Sequence, residues 1–226
     1  MIIGYILTLK KRFMKTKNKI KIGILGENPV NDSKALCMLL SKRPYEEIQF
    51  VVALNNIEGD KLEENPKALG KRLNSKMAQN NLAYLICMRD LDATIHDENQ
   101  VNKREEWFEQ INKEISEKGI LFLAVVAFEA LILADIDRIN TFFKLKLPKY
   151  NDPKFIPNPK KELKNQTAPS TKANKEYKQD MVCDIIEKID FETIYKNHKG
   201  ERSFQAFAKE LIAKNILDKK KIKTPQ

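Results

Sequence analysis

The sequence predicts an α/β fold, a parallel sheet flanked by helices, followed by a helical C-terminal extension. Three observations carry this expectation. Short apolar runs alternate in series with stretches whose apolar residues recur every three to four positions. The runs at residues 19–25 and 83–89 read as strands buried on both faces, as parallel strands are. Each of these two runs stops at acidic residues, the first at Glu27 and the second at Asp90-Leu91-Asp92.

The elements follow in order. Residues 1–19 form a basic N-terminal extension in which Ile2, Ile3, Tyr5, Ile6 and Leu7 precede Lys10, Lys11, Arg12, Lys15, Lys17 and Lys19. A secretory signal places its charge before the apolar stretch, and this patch is too short to span a bilayer, so no membrane association is expected. Met14 is an alternative start. The α/β domain is expected over residues 20–147. After the first strand, Asp32 or Ser33 caps a helix reaching residue 41, with Ala35, Leu36, Met38, Leu39 and Leu40 as its apolar face. Residues 48–54 make a second strand. Pro66 suits the first turn of a helix in which Leu69, Leu73 and Met77 recur at a spacing of four. The third strand leads to Asp90 and Asp92. A helix over 101–118 carries Trp107, Phe108, Ile111 and Ile115 on one side, at core spacing, with Gly119 as its stop. A fourth strand over 121–127 runs directly into Phe128-Glu129-Ala130-Leu131.

The pattern changes at residues 148–175, where Pro148, Pro153, Pro157, Pro159 and Pro169 lie among Asn and Lys. That composition breaks strands and long helices and reads as a surface excursion or lid. Residues 176–226 form a helical C-terminal region, with helices at 177–188, 191–197 and 203–217 and a basic tail from Lys219 to Lys223.

Composition narrows the chemistry. Forty-one basic against thirty-one acidic residues give a net charge of +10, which favours a polyanionic partner such as nucleic acid. Cys37, Cys87 and Cys183 stand apart in apolar patterns, as buried thiols of a reducing cytoplasm do. Two histidines, His96 and His198, are too few and too dispersed for a zinc site or a His-based triad. The chemistry belongs to carboxylates.

Residues at the carboxyl ends of neighbouring parallel strands converge on one crevice, so Glu27, Asp90 and Asp92 are candidates for one site. Two positions apart on an extended segment, Asp90 and Asp92 are expected to point the same way. Charges about 4 Å apart repel by roughly 4 kcal/mol at an effective dielectric near 20. A divalent cation, Mg²⁺ or Mn²⁺, relieves that repulsion, and a pair of ions clamps a phosphodiester at its attacking and leaving oxygens. Glu27 completes the site or positions the attacking water. Glu129 is either a ligand of the second ion or a helix-starting residue paired to Arg or Lys. Arg89 either neutralises the scissile phosphate or bridges to a neighbouring carboxylate. Lys160 and Lys161 either hold a nucleic-acid backbone or belong to a solvated loop.

At Glu27, at Asp90-Leu91-Asp92 and in the order of its elements, the chain resembles a Toprim domain, the metal-binding fold of primases, topoisomerases and OLD-type nucleases. It is more similar still to stand-alone Toprim-like bacterial proteins that accompany ATPases in anti-phage systems. That likeness rests on residues 128–135 (Phe-Glu-Ala-Leu-Ile-Leu-Ala-Asp), on Asn158-Pro159-Lys160-Lys161-Glu162-Leu163 and on Ser203-Phe204-Gln205-Ala206-Phe207, and spans most of residues 20–215. The resemblance implies a cytoplasmic, Mg²⁺-dependent endonuclease acting on DNA or RNA in antiviral defence, under the control of an ATPase partner. The chain departs from the pattern at Asn28, where Gly is usual, at Asn31, where a second acidic residue is usual, and at Leu131, where an aromatic is common. A one-residue insertion brings Asp32 into the acidic position as a metal ligand; otherwise Asp32 is a helix N-cap.

Two other readings stand beside it. One is a Toprim-like nucleic-acid or protein binding module without activity, which Asn28 and Asn31 favour. The other takes Asp90-Leu91-Asp92-Ala93-Thr94 as the DxDxT of haloacid-dehalogenase phosphatases, although two βα units precede it and no GDxxxD follows. The sequence contains no GxxxxGK[ST], so ATP hydrolysis is assigned to a partner.

Overall fold

The computed structural model describes residues 19–55, 65–94 and 96–222. The N-terminal extension and Met14 lie outside the described residues. Four strands, β1 (Ile20–Leu25), β2 (Ile48–Val52), β3 (Leu82–Asp90) and β4 (Gly119–Ala124), form an all-parallel sheet in the order β2-β1-β3-β4. The chain places β2 on one side of β1 and then crosses to lay β3 on the other. The reversal therefore falls between β1 and β3, the two strands that carry Glu27 and Asp90 at their ends, and such switch points open a crevice at the carboxyl edge.

Nine helices are described: α1 (Lys34–Leu40), α2 (Pro66–Asn80), α3 (Glu98–Glu114), α4 (Glu129–Leu133), α5 (Ile136–Phe143), α6 (Pro159–Gln166), α7 (Val182–Lys188), α8 (Phe191–Asn197) and α9 (Phe204–Ala213). The two-residue alternation of the strands sorts the core into two layers. Ile22, Ile24, Ile86, Met88 and Phe122 face α1, α4, α5 and the C-terminal helices. Leu25, Leu85 and Cys87 face Leu69, Leu73 and Met77 of α2 and Trp107 and Ile111 of α3. Full burial of residues such as Leu36 and Leu39 is worth about 2 kcal/mol each. The C-terminal helices share the first layer: Phe207 stacks on Phe122 of β4 at 4.5 Å, and Phe204 meets Phe122 edge-on at 6.2 Å.

Several boundaries move from their sequence expectation, each for a local reason. α1 is entered through one turn of π-helix, Pro29–Ser33, whose cap is Asn28 rather than Asp32 or Ser33. Asp97 caps α3 three residues earlier than expected. Its end is made by Ser116 and Glu117, both left-handed at φ 56° and 57°, and not by Gly119. Gly119 instead opens β4, where its N–H donates to Asn112 Oδ1 at 2.7 Å and a Cβ would lie 2.5 Å from that oxygen. Strands β2 and β4 end two and three residues short of the apolar runs that suggested them. Within the proline-rich segment, Asn158 and Pro159 supply the cap and first position of α6, whose Leu163 is fully buried. Among the described residues no helix is long and apolar enough to cross a membrane.

Candidate active site at the carboxyl edge of the sheet

A cleft of about 560 Å³ opens where β1, β3 and β4 end, lined by Glu27, Asn28, Asp32, Asp90, Asp92, Val126, Ala127 and Glu129, and on its far side by residues 157–160 and Gln179. It joins five carboxylates from three separate stretches of chain.

Glu27 follows β1 through Gly26, whose missing Cβ lets the π-turn close: a Cβ there would stand 2.9 Å from Ser33 Oγ. That turn carries Asp32, which is 8 % exposed and accepts from the Asn28 N–H at 3.2 Å. Asn28 in turn accepts from the N–H groups of Val30 and Asn31 at 3.0 Å. Asp32 thus reaches back to the cap residue instead of capping α1 itself.

Asp90 is the last residue of β3. It keeps part of its surface on the cleft, and its Oδ1 accepts from the Phe128 N–H at 3.1 Å. The extended geometry expected for Asp90 and Asp92 breaks at this point, because Asp92 is left-handed at φ 55°. Asp92 therefore lies at the mouth of the cleft, 66 % exposed, in an ion pair with Arg104 of α3 at 3.1 Å. Val126, also left-handed at φ 63°, locks this turn: its carbonyl accepts from the Asp92 N–H and its N–H donates to the Ala93 carbonyl. A β-branched residue in that conformation is strained, and such strain gathers at functional sites.

Glu129 is the first residue of α4, 5 % exposed, and accepts from the Tyr177 hydroxyl at 3.0 Å. The Arg or Lys partner offered as its alternative is replaced by this neutral donor. Lys160 lines the far wall and donates to Gln179 Oε1 at 2.8 Å, whereas Lys161 is exposed outside the cleft. Arg89 takes the ion-pair alternative. It is 3 % exposed, sits 2.8 Å from Glu27 and lies 5.0 Å over the Trp107 ring, so it underpins Glu27 from beneath and is out of reach of a nucleic-acid backbone.

The electrostatics follow from this placement. Asp90 is pushed well above the ordinary carboxylate range, first by burial and then by Glu27, Asp32, Glu129 and Asp92. Asp32 is pushed up to about 7, first by burial and then by Glu129, with the Asn28 amide pulling the other way. Burial and the neighbouring Glu129 raise the Tyr177 hydroxyl, keeping it a neutral donor. Perturbed groups gathered in a cleft mark functional sites.

A family described as a domain of unknown function (DUF4276) matches residues 13–212. The chain belongs to this family. Comparisons with curated proteins and with solved structures found no match.

In this DUF4276 chain the cleft's acidic side chains offer oxygen alone, a set that suits a hard cation such as Mg²⁺ or Mn²⁺. Among the described residues no three His, Cys, Asp or Glu side chains are gathered at one point as an ion's ligands. Each carboxylate holds a protein donor instead. Three contributors escaped sequence reasoning. Arg104, 5 % exposed, binds both the Asp90 carbonyl and the Asp92 carboxylate, and its signal was visible as an Arg in the apolar stripe Val101, Trp107, Ile111. Tyr177 and the Phe128 amide had no local signal, because each meets its carboxylate from a distant part of the chain.

Proposed function

We propose that this chain is a metal-dependent nuclease effector that hydrolyses phosphodiester bonds in DNA or RNA, within a bacterial anti-phage system controlled by a partner ATPase. One observation carries the reading: Asp32, Asp90 and Glu129 share a cleft with Glu27, where burial first and the neighbouring carboxylates second hold Asp90 and Asp32 above their ordinary range. Clustered carboxylates of this kind are costly without a cation. Asp90, Asp32 and Glu129 would hold Mg²⁺ or Mn²⁺, two ions in the full site, with Asp92 contributing from the mouth. A bound divalent cation would supply charge neutralisation and Lewis-acid polarisation of a phosphoryl oxygen. Glu27, steadied by Arg89, orients the attacking water and accepts its proton. Lys160 meets the phosphate backbone across the cleft. The ATPase assignment rests on the Toprim-like resemblance together with the lack of a phosphate-binding loop in the sequence.

The test is cleavage of plasmid DNA, single-stranded DNA and tRNA with Mg²⁺ or Mn²⁺, by the purified chain alone and with any ATPase encoded beside it. Cleavage that needs the cation and disappears in Asp90→Ala is the expected result. A phosphoenzyme trapped on Asp90 would assign the phosphatase mechanism instead. A second reading, a binding module without activity, is favoured by one observation, the protein donor that each cleft carboxylate already holds. Nucleic-acid binding with no cleavage under any cation, with or without the ATPase, would establish it.

A further inference from the structure

Phe155 is one of three large hydrophobic residues exposed on the described surface, at 56 %. It does not hang on a loose loop. It ends a 3₁₀ turn, Pro153–Phe155, whose Pro153 and Lys154 are buried and whose start is capped by Asp152. The Lys154 ammonium donates to the Lys199 carbonyl, and the turn packs on α4, the helix that begins with Glu129. The ring is therefore rigidly displayed.

Its neighbour is the exposed imidazole of His96, from the loop between Asp92 and α3. The two rings are nearly parallel, with centroids 6.3 Å apart and planes 21° apart. Both are tied to the carboxylate cleft by short chain: His96 lies four residues beyond Asp92, and Phe155 lies two residues before Pro157, the first of four consecutive lining residues. An aromatic pair thus lies within a few residues along the chain from two walls of a mostly polar cleft.

The geometry points to His96 and Phe155 as a base-stacking site that selects nucleic acid with unpaired bases at the carboxylate cleft, an inference that rests on the nuclease reading. In a duplex each base face is covered by its neighbours, so an aromatic side chain can stack only on a base that is single-stranded or extruded. Stacking also tolerates any sequence, since every base has a π-face. It suits a cleft where carboxylates repel phosphates, because it attracts the substrate through a part that carries no charge.

The test is binding in EDTA, where it is read apart from cleavage. The probes are 12-nucleotide single-stranded DNA and RNA carrying one 2-aminopurine, and a duplex of the same sequence. Wild type is expected to bind either single strand more tightly than the duplex and to change the 2-aminopurine emission; a preference for one strand type identifies the sugar. Phe155→Ala is expected to weaken single-strand binding about tenfold and abolish the emission change, with Phe155→Trp restoring both. The dependence of binding on salt should not change, since no phosphate contact is removed. Equal binding of duplex and single strand, undetectable single-strand binding, or wild-type binding by Phe155→Ala would each overturn the inference. Stacking without cleavage in Mg²⁺ or Mn²⁺, with or without the ATPase, would overturn the nuclease reading alone, whereas cleavage with no effect of Phe155→Ala on binding would overturn the stacking site alone.

Discussion

On the side of the sheet covered by α2 and α3, Glu27 and Asp92 each meet a guanidinium, Arg89 at 2.8 Å and Arg104 at 3.1 Å. On the side covered by α1 and α4, Asp32, Asp90 and Glu129 meet neutral donors: the Asn28 amide, the Phe128 amide and the Tyr177 hydroxyl. All five line one cleft, yet charge is balanced within the protein on the first side and meets only neutral hydrogen-bond donors on the second. Neutral donors orient a carboxylate without cancelling its charge. The first side is thus a braced wall, and the second is where an added cation would gain most.

The largest effect should come from the second side. Asp90→Asn keeps the shape and the Phe128 contact but removes a charge, so cleavage should fall by about 10²–10⁴-fold while the fold persists. Single-turnover rates and far-UV circular dichroism check both halves, and an active Asp90→Asn would break the contrast. On the first side, the Arg89 brace should show itself in stability. Arg89→Met leaves Glu27 without its buried counter-charge and should cost about 3 kcal/mol, near the low end for a broken buried pair because Glu27 is partly exposed. Urea unfolding measures it.

A third test uses pH. Asp32 keeps its proton up to about 7 in the folded chain, against an ordinary value of 3.8, and Asp90 shifts in the same direction. The folded state therefore binds more protons than the unfolded state between those values. Stability in EDTA should fall as pH rises above about 4, the share owed to Asp32 being spent once the pH passes about 7. Asp32→Asn should flatten that fall and exceed wild type in stability at pH 8. Added Mg²⁺ should raise wild-type stability most at the high-pH end, where the carboxylates are ionised. Tyr177→Phe, which removes one donor from the buried Glu129, should cost about 1–2 kcal/mol in thermal or urea unfolding. The smallest effect belongs to Lys160→Ala: the salt dependence of nucleic-acid binding should lose about one phosphate contact.

Much of this was legible in the sequence. Strands buried on both faces need continuous apolar runs, so residues 19–25 and 83–89 announced β1 and β3, and parallel pairing sends their acidic ends to the same edge. Pro66 at a helix start and the Leu69, Leu73, Met77 repeat were likewise local signals of α2, because capping and periodicity act within a few residues. The division of the cleft into balanced and unbalanced sides was not legible. Asp92 leaves the extended path through a left-handed turn locked by Val126, thirty-four residues away, so its spacing from Asp90 could not reveal that it faces Arg104. Tyr177 reaches Glu129 across forty-eight residues, and Asp32 is oriented by a π-turn packed closely against Gly26. The carboxylates were set by the order of strands and their apolar boundaries. Their partners were decided by tertiary packing, since contacts between distant segments leave no period or spacing in the chain.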